Sequence, residues 1–462
     1  MLQDGKVFCK GRGRNETMRQ SKKQLVALWM LIFAFPLALW AAFPVFARAH
    51  AEPIYRQFTR EVRVAQSLGI PLTASHLKPT PPIPDEQNAA PMLREIFANS
   101  REQREARSQL LVELDRSTPS QIVTLPPDVD AALDAAKAIR SKGGLDFKRD
   151  YSQGLALLYP ELGELKQLTQ LLCRRAVLRA RLGEVKLAID DLTTAMHLAK
   201  IRRTERSFLD VIANLALDAI IISGYLDVAA AFRGKEDQLD SLKQTFDPPE
   251  IPNLRDIVAF ETGAAFNAIR VDANQRSLDP AAEMPVVHTF AANEILRHGK
   301  RCLNLLDQGL PDPHFIGLAI DSEDYEIGRF VFKGTDMTIE ALIPRYEELG
   351  AALMRQETRR SFVRASIDIL IFESRTGKLP TSLDELGNVF LDSFASRSVS
   401  YMVTERGFRL WSVGIDRVDN GGLRVDEINP ASGSPEPAGD IVEEFPRPPR
   451  KRNEPAAGLP SK

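Results

Sequence analysis

Twenty-three consecutive uncharged residues, Leu25–Ala47 (LVALWMLIFAFPLALWAAFPVFA), constrain everything else in this chain. As a helix rising about 1.5 Å per residue they reach roughly 34 Å, enough for a hydrocarbon core of about 30 Å. A secretory signal has an apolar region of only about 7–15 residues, so the expectation is an uncleaved transmembrane anchor. Ala49-His50-Ala51 matches the small-x-small pattern of a cleavage site and keeps a cleaved signal open as the alternative. Pro36 and Pro44 lie inside the run, and membrane helices tolerate proline. The flanks set the orientation. Lys6, Lys10, Arg12, Arg14, Arg19, Lys22 and Lys23 precede the run, whereas Arg48, Arg56 and Arg60 follow it. The positive-inside rule then puts residues 1–24, a basic tail, in the cytoplasm and the bulk of the chain outside it. The lipid bilayer, met through Leu25–Ala47, is the first expected partner.

The rest reads as mainly helical. Residues 48–91 hold one helix, Ile54–Leu68, and a proline-rich linker or surface strap over Leu77–Pro91. Residues 92–350 read as an irregular α-helical array. Its helices are expected at Met92–Leu114, Asp128–Ser141, Leu162–Leu182, Glu184–Lys200, Ser207–Phe232, Leu254–Val271, Ala291–Leu306 and Asp336–Leu349. HFIGLAI and GRFVFKG, between Pro311 and Gly334, read as short strands or loops. The helix after Gly183 places Val185, Ala188, Ile189, Leu192, Ala195, Met196 and Ala199 on one face. Leu209–Phe232 is apolar enough to suggest a second span. Asp210, Asp218 and Asp227 interrupt it, and charge at a bilayer centre is costly, so a buried helix of a water-soluble bundle is expected.

Residues 351–445 read as a long helix, Ala351–Arg375, followed by a small α+β module. GKLPTSLDELG is a turn and a short capped helix. Val399–Val403 and Gly407–Val413 alternate as a β-hairpin and lead into the acidic loop GIDRVDNGG. Residues 446–462 are proline- and charge-rich and are expected to be disordered.

Two resemblances follow. Ala176, Gly183, Ala188, Leu192 and Ala195 fit the small and apolar positions of one tetratricopeptide-like hairpin, with Lys200 where that repeat carries proline. The ending is similar to the globular part of type II secretion major pseudopilins. It more closely resembles membrane-anchored bacterial proteins, common in planctomycetes, that carry this module after a helical region. The residues that carry the likeness are Gly377, Leu379-Pro380, Ser382-Leu383-Asp384-Glu385-Leu386 and Leu391-Asp392-Ser393-Phe394. Tyr401, Gly407-Phe408, Ser412-Val413-Gly414, Asp416, Asp419, Gly421-Gly422 and Gly439-Asp440-Ile441 complete it. The resemblance implies a bacterial inner-membrane protein with a periplasmic bulk. It also implies a loop that can hold Ca²⁺ through Asp416, Asp419 and Asp440, hard oxygen donors of the kind calcium takes. An ordinary Asp/Gly turn around Asp419-Asn420-Gly421 is the alternative. A pseudopilin has its membrane helix directly before the module, with a glycine cleavage site. Leu25–Ala47 lies over 300 residues upstream and contains neither glycine nor glutamate, so polymerisation into a pseudopilus is not expected.

No catalytic motif emerges. His50, His76, His197, His288, His298 and His314 form no metal spacing, although His298 and Cys302 are one helical turn apart. There is no G-x-S-x-G, Walker A or G-x-G-x-x-G run. Asp321, Glu323, Asp324 and Glu326 read as a solvated acidic loop. Of three cysteines, Cys9 is expected in the cytoplasm, and Cys173 and Cys302 as separate buried thiols. A net charge of −2 gives no reason to expect nucleic acid. Two function classes remain. One is a non-catalytic scaffold that binds an envelope protein and is possible for a secretion-related role. The other is an envelope hydrolase acting on a carbohydrate or other polymer through carboxylates that the fold brings together.

Overall fold

The computed structural model describes residues 35–78, 81–96, 101–116, 124–150, 153, 159–202, 207–276, 286–307, 329–332, 335–338, 346–423 and 439–447. Eleven α-helices lie among them, as expected for a mainly α chain: α1 (Phe35–Ser67), α2 (Ala90–Ile96), α3 (Arg101–Arg116), α4 (Pro127–Ala136), α5 (Glu161–Arg181), α6 (Val185–Ile201), α7 (Phe208–Ala231), α8 (Glu236–Thr245), α9 (Leu254–Arg276), α10 (Val286–Asp307) and α11 (Tyr346–Thr376).

α1 joins two segments that the sequence reading separates. Residues 25–34 of the apolar run lie outside the described residues, while 35–47 are helical and continue without a break to Ser67. Farther along, Phe58, Val62 and Ala65, one helical stripe, pack with Val258, Phe266 and Ile269 of α9 and Ile295, Leu296 and Leu303 of α10. This is a second core, smaller than the main one. α9 and α10 approach closely at Gly299, where a Cβ would lie 2.2 Å from Thr262 Oγ1.

The main core is built on the α5–α6 hairpin, which turns at Gly183 with φ +80°. Ala188, Leu192, Ala195, Met196 and Ala199 are buried as the helical period demands. α7 packs on both helices of the hairpin, and α11 packs on α7. Ser207 caps α7, its Oγ accepting the Asp210 N–H at 3.1 Å. α7 is the one described helix long and apolar enough to cross a membrane. Its aspartates bind other elements instead: Asp210 to Arg202 and Asp218 to Arg360 of α11, at 2.7 and 2.6 Å. The polyproline stretch is a strap. Leu77, Ile83 and Ala89 are buried, and Ala89 N–H donates to Gly144 O at 3.0 Å.

One expectation needs correction. Asp336–Leu349 is not one helix, because Asp336 lies in β2 (Thr335–Thr338), paired antiparallel with β1 (Arg329–Phe332). α11 then runs through Gly350 as one helix from Tyr346 to Thr376. The expected helix Met92–Leu114 is helical in its described residues, as α2 and α3, with residues 97–100 outside the described set. HFIGLAI and the acidic run Asp321–Glu326 also lie outside it.

The C-terminal module follows α11. Glu385 accepts the N–H groups of Thr381 and Ser382, capping the short 3-10 turn Leu383–Leu386. β3 (Leu391–Asp392) pairs with β4 (Arg397–Ser398). β5 (Ser400–Thr404) and β6 (Gly407–Ser412) form the expected hairpin, and β7 (Ile441–Phe445) adds a third strand beside β6. Phe408 and Leu410 alternate inward on β6, and Phe445 stacks on Phe408 at 4.9 Å. These side chains join the main core, so module and array share one interior.

Candidate functional sites

The acidic loop is assembled between β6 and β7. Asp440 is buried, and its carboxylate accepts the N–H groups of Asn420 (3.1 Å) and Gly422 (2.7 Å). Burial, with the like charges of Asp419 and Asp416, holds Asp440 above the ordinary carboxylate range, against the pull of those two donors. Asp419 is shifted the other way. Trp411 Nε1 donates to its Oδ1 at 2.9 Å, the Gly421 N–H at 3.0 Å, and Arg397 Nη2 lies 3.2 Å from Oδ2. Asp416 accepts the Val418 N–H at 3.2 Å, an Asx-type turn. The fold thus gathers all three predicted carboxylates into one loop. Their oxygens face N–H donors, and Arg397 supplies a counter-charge, so a cation would have to displace protein donors. Among the described residues, no group of three or more His, Cys, Asp or Glu is spaced to hold a metal ion.

Two buried acids meet at the α7–α9 contact, which no motif indicated. Glu261 of α9 accepts the Phe208 N–H at the start of α7, and burial beside Asp210 raises its carboxyl to about 7. Asp210 is fully buried. It accepts from Arg202 and Ser207, with Arg149 Nη1 at 3.6 Å. Arg149 in turn stacks over Tyr159, 4.3 Å from the ring centroid. The only sequence signal was the aspartates set inside an apolar helix. Such residues need buried partners.

A third feature is a concavity of about 250 Å³ between α3, α5 and α7. Leu111, Val177 and Ile220 line it, and Arg174, Ser223 and Asp227 stand at its polar side. One acid lies in it, not two. His298 and Cys302 approach to 3.5 Å, both buried. Cys173 and Cys302 are buried, and neither is in a disulfide. No family model, curated protein or solved structure matches this chain.

Proposed function

We propose that this chain is a single-pass envelope protein of the bacterial inner membrane, N-terminus in the cytoplasm, whose periplasmic body binds a protein partner and catalyses no reaction. The apolar run and its basic flank support the tether. α1 adds mechanical sense to it, because the helix that begins within that run also builds the second core. The observation that carries the non-catalytic reading is Asp210. Polymer hydrolysis by two carboxylates needs both to reach substrate or water. Asp210, the partner Glu261 would need, is sealed from solvent and committed to Arg202 and Ser207. Exposed Leu209 and Ile212, three residues apart on α7, offer an apolar face to a partner.

The hydrolase reading rests on Glu261 alone, a carboxyl poised near neutral pH. One experiment separates the two. Full-length protein, solubilised in detergent, is used to capture partners from an envelope extract and is assayed on envelope polymers, as wild type, Glu261→Gln and Leu209→Asp/Ile212→Asp. The expected result is a partner retained by Glu261→Gln and lost with the α7 pair, and no turnover. Turnover abolished by Glu261→Gln would overturn the binding reading.

A further inference from the structure

α9 belongs to the second core but meets the main core at two neighbouring points. Ile257 packs with Val211 of α7 and with Leu349 and Leu353 of α11, a cluster apart from both larger ones. About one turn away on each helix, Glu261 accepts the N–H of Phe208. Phe208 opens α7, so its N–H has no acceptor within the helix and depends on Glu261. The same turn already holds a carboxylate. Asp210 is fully buried, with Arg202 Nη2 at 2.7 Å from its Oδ1 and the Ser207 hydroxyl donating to its Oδ2. Arg149 lies 3.6 Å from Asp210, pairs with Glu161 and stacks over Tyr159. α10 meets α9 at Thr262, beside Glu261, and carries His298 and Lys300 there, the lysine bound to Glu61 of α1. Among the described residues, no lysine, arginine or histidine forms an ion pair with Glu261.

We propose that this contact is a proton-operated joint between the two cores, shut while Glu261 is protonated and opened when Glu261 ionises. The neutral carboxyl accepts the Phe208 N–H and adds no charge to a turn where Asp210 is already answered by Arg202. The ionised one places a second negative charge beside Asp210, with that N–H for support and no cation of its own. Glu261 keeps part of its surface in solvent, so its proton can leave to water without unfolding of the helices. With the joint open, the carboxyl is hydrated and returns to the ordinary range near 4.5, whereas burial and Asp210 hold it at about 7 with the joint shut. The shut form therefore binds the proton first, and its advantage is full below 4.5 and is lost as pH rises through about 7. Between those values the open-to-shut ratio climbs up to about tenfold per pH unit, and above them it levels off. The second core is built on α1, so the proton sets how firmly the main core is held to the helix that continues the apolar run. The joint stands apart from the binding role proposed above and holds whether or not a partner is present.

The test is hydrogen exchange of the Phe208 amide in full-length protein in lipid nanodiscs, from about pH 5 to about pH 8. Rates are expressed as protection factors, which cancels the pH dependence of exchange itself. In the wild type, protection of Phe208 should fall by up to about tenfold per unit to near pH 7 and then level off, while α5 and α6 keep theirs. Glu261→Gln retains an acceptor oxygen without a titrating proton, so Phe208 should stay protected at every pH. A flat wild-type profile, or a slope that survives in Glu261→Gln, would overturn the proposal. So would an equal slope in α5 and α6, which would mark unfolding of the whole molecule and not a joint. Should Glu261→Gln fail to fold, the wild-type comparison of Phe208 with α5 and α6 decides alone.

Discussion

The two cores keep their buried polar groups in opposite ways. In the main core they are charges locked in pairs. Arg175 donates twice to fully buried Asp191, and Arg360 reaches Asp218 across α7 and α11. In the second core, around α1, α9 and α10, most carry no charge: Thr262, Asn267 and Asn293, with the His298 imidazole kept neutral by burial. Among the described residues, its close ion pairs between helices, Lys300 to Glu61 at 2.6 Å and Arg255 to Asp307 at 2.7 Å, lie toward the edge, with the lysine and arginine side chains 29% and 34% exposed. Paired charges specify which helices meet and resist change of pH. Neutral titratable groups leave the core next to the tether sensitive to it.

Removing one partner of a buried pair should have the largest effect. Arg360→Met takes the guanidinium from buried Asp218 and costs about 3–5 kcal/mol in urea unfolding, whereas Arg360→Met combined with Asp218→Leu recovers most of it. If the single variant were neutral, the main core would not depend on its ion pairs and the contrast would fail. Next comes Gly299→Ala. Thr262 is fixed by its own bond to Val258 O at 2.7 Å and cannot retreat from a new methyl group. Overpacking of this kind costs about 1–3 kcal/mol. Hydrogen exchange should speed up in α9 and α10 and stay unchanged in α5 and α6.

A subtler effect is expected in the pH dependence of stability, where two groups oppose each other. Burial, helped by Arg301, lowers the His298 imidazole from 6.5 to about 4. The unfolded chain then binds that proton first, and stability falls as pH drops from 6.5 toward 4. Glu261 is raised from 4.5 to about 7, so the folded chain binds its proton first, and stability falls as pH climbs from 4.5 through 7. In the wild type the two slopes offset each other over the shared range. Glu261→Gln should expose the histidine slope, with stability rising from pH 4 to 6.5, and His298→Gln the reverse. Denaturation midpoints across that range decide it. Two variants with the same sign of slope would refute the assignment.

The smallest effect should be that of calcium. Backbone N–H groups, Trp411 and Arg397 already occupy the oxygens of Asp419 and Asp440, so millimolar calcium followed by chelator should leave the melting midpoint where it was. A chelator-reversible rise in the midpoint would restore the calcium reading that the resemblance implies.

Much of the fold was legible because it repeats locally. The period of Ala188, Leu192, Ala195 and Ala199 marks a buried helix face, Gly183 marks the turn before it, and alternation on β6 marks the inward Phe408 and Leu410. The strand at Asp336 was not, because short apolar patterns leave helix and strand ambiguous. Among site residues, the loop aspartates were visible as turn chemistry. Arg447 and Glu261 were not, since each acquires its meaning from a partner far away in the chain: Ser223 and Asp227 for Arg447, and Phe208 for Glu261.

The sequence by itself determined the apolar run, the sign of its flanks, the helical character and the module at the end, all of which depend on neighbours within a few residues. Only the tertiary structure decided which partner each carboxylate meets. Asp210 and Asp227 look alike along α7, yet one is sealed between Arg202 and Ser207 and the other takes Arg447 from beyond the end of β7. Electrostatic energy depends on distance and burial, and neither is set until helices distant in sequence have packed.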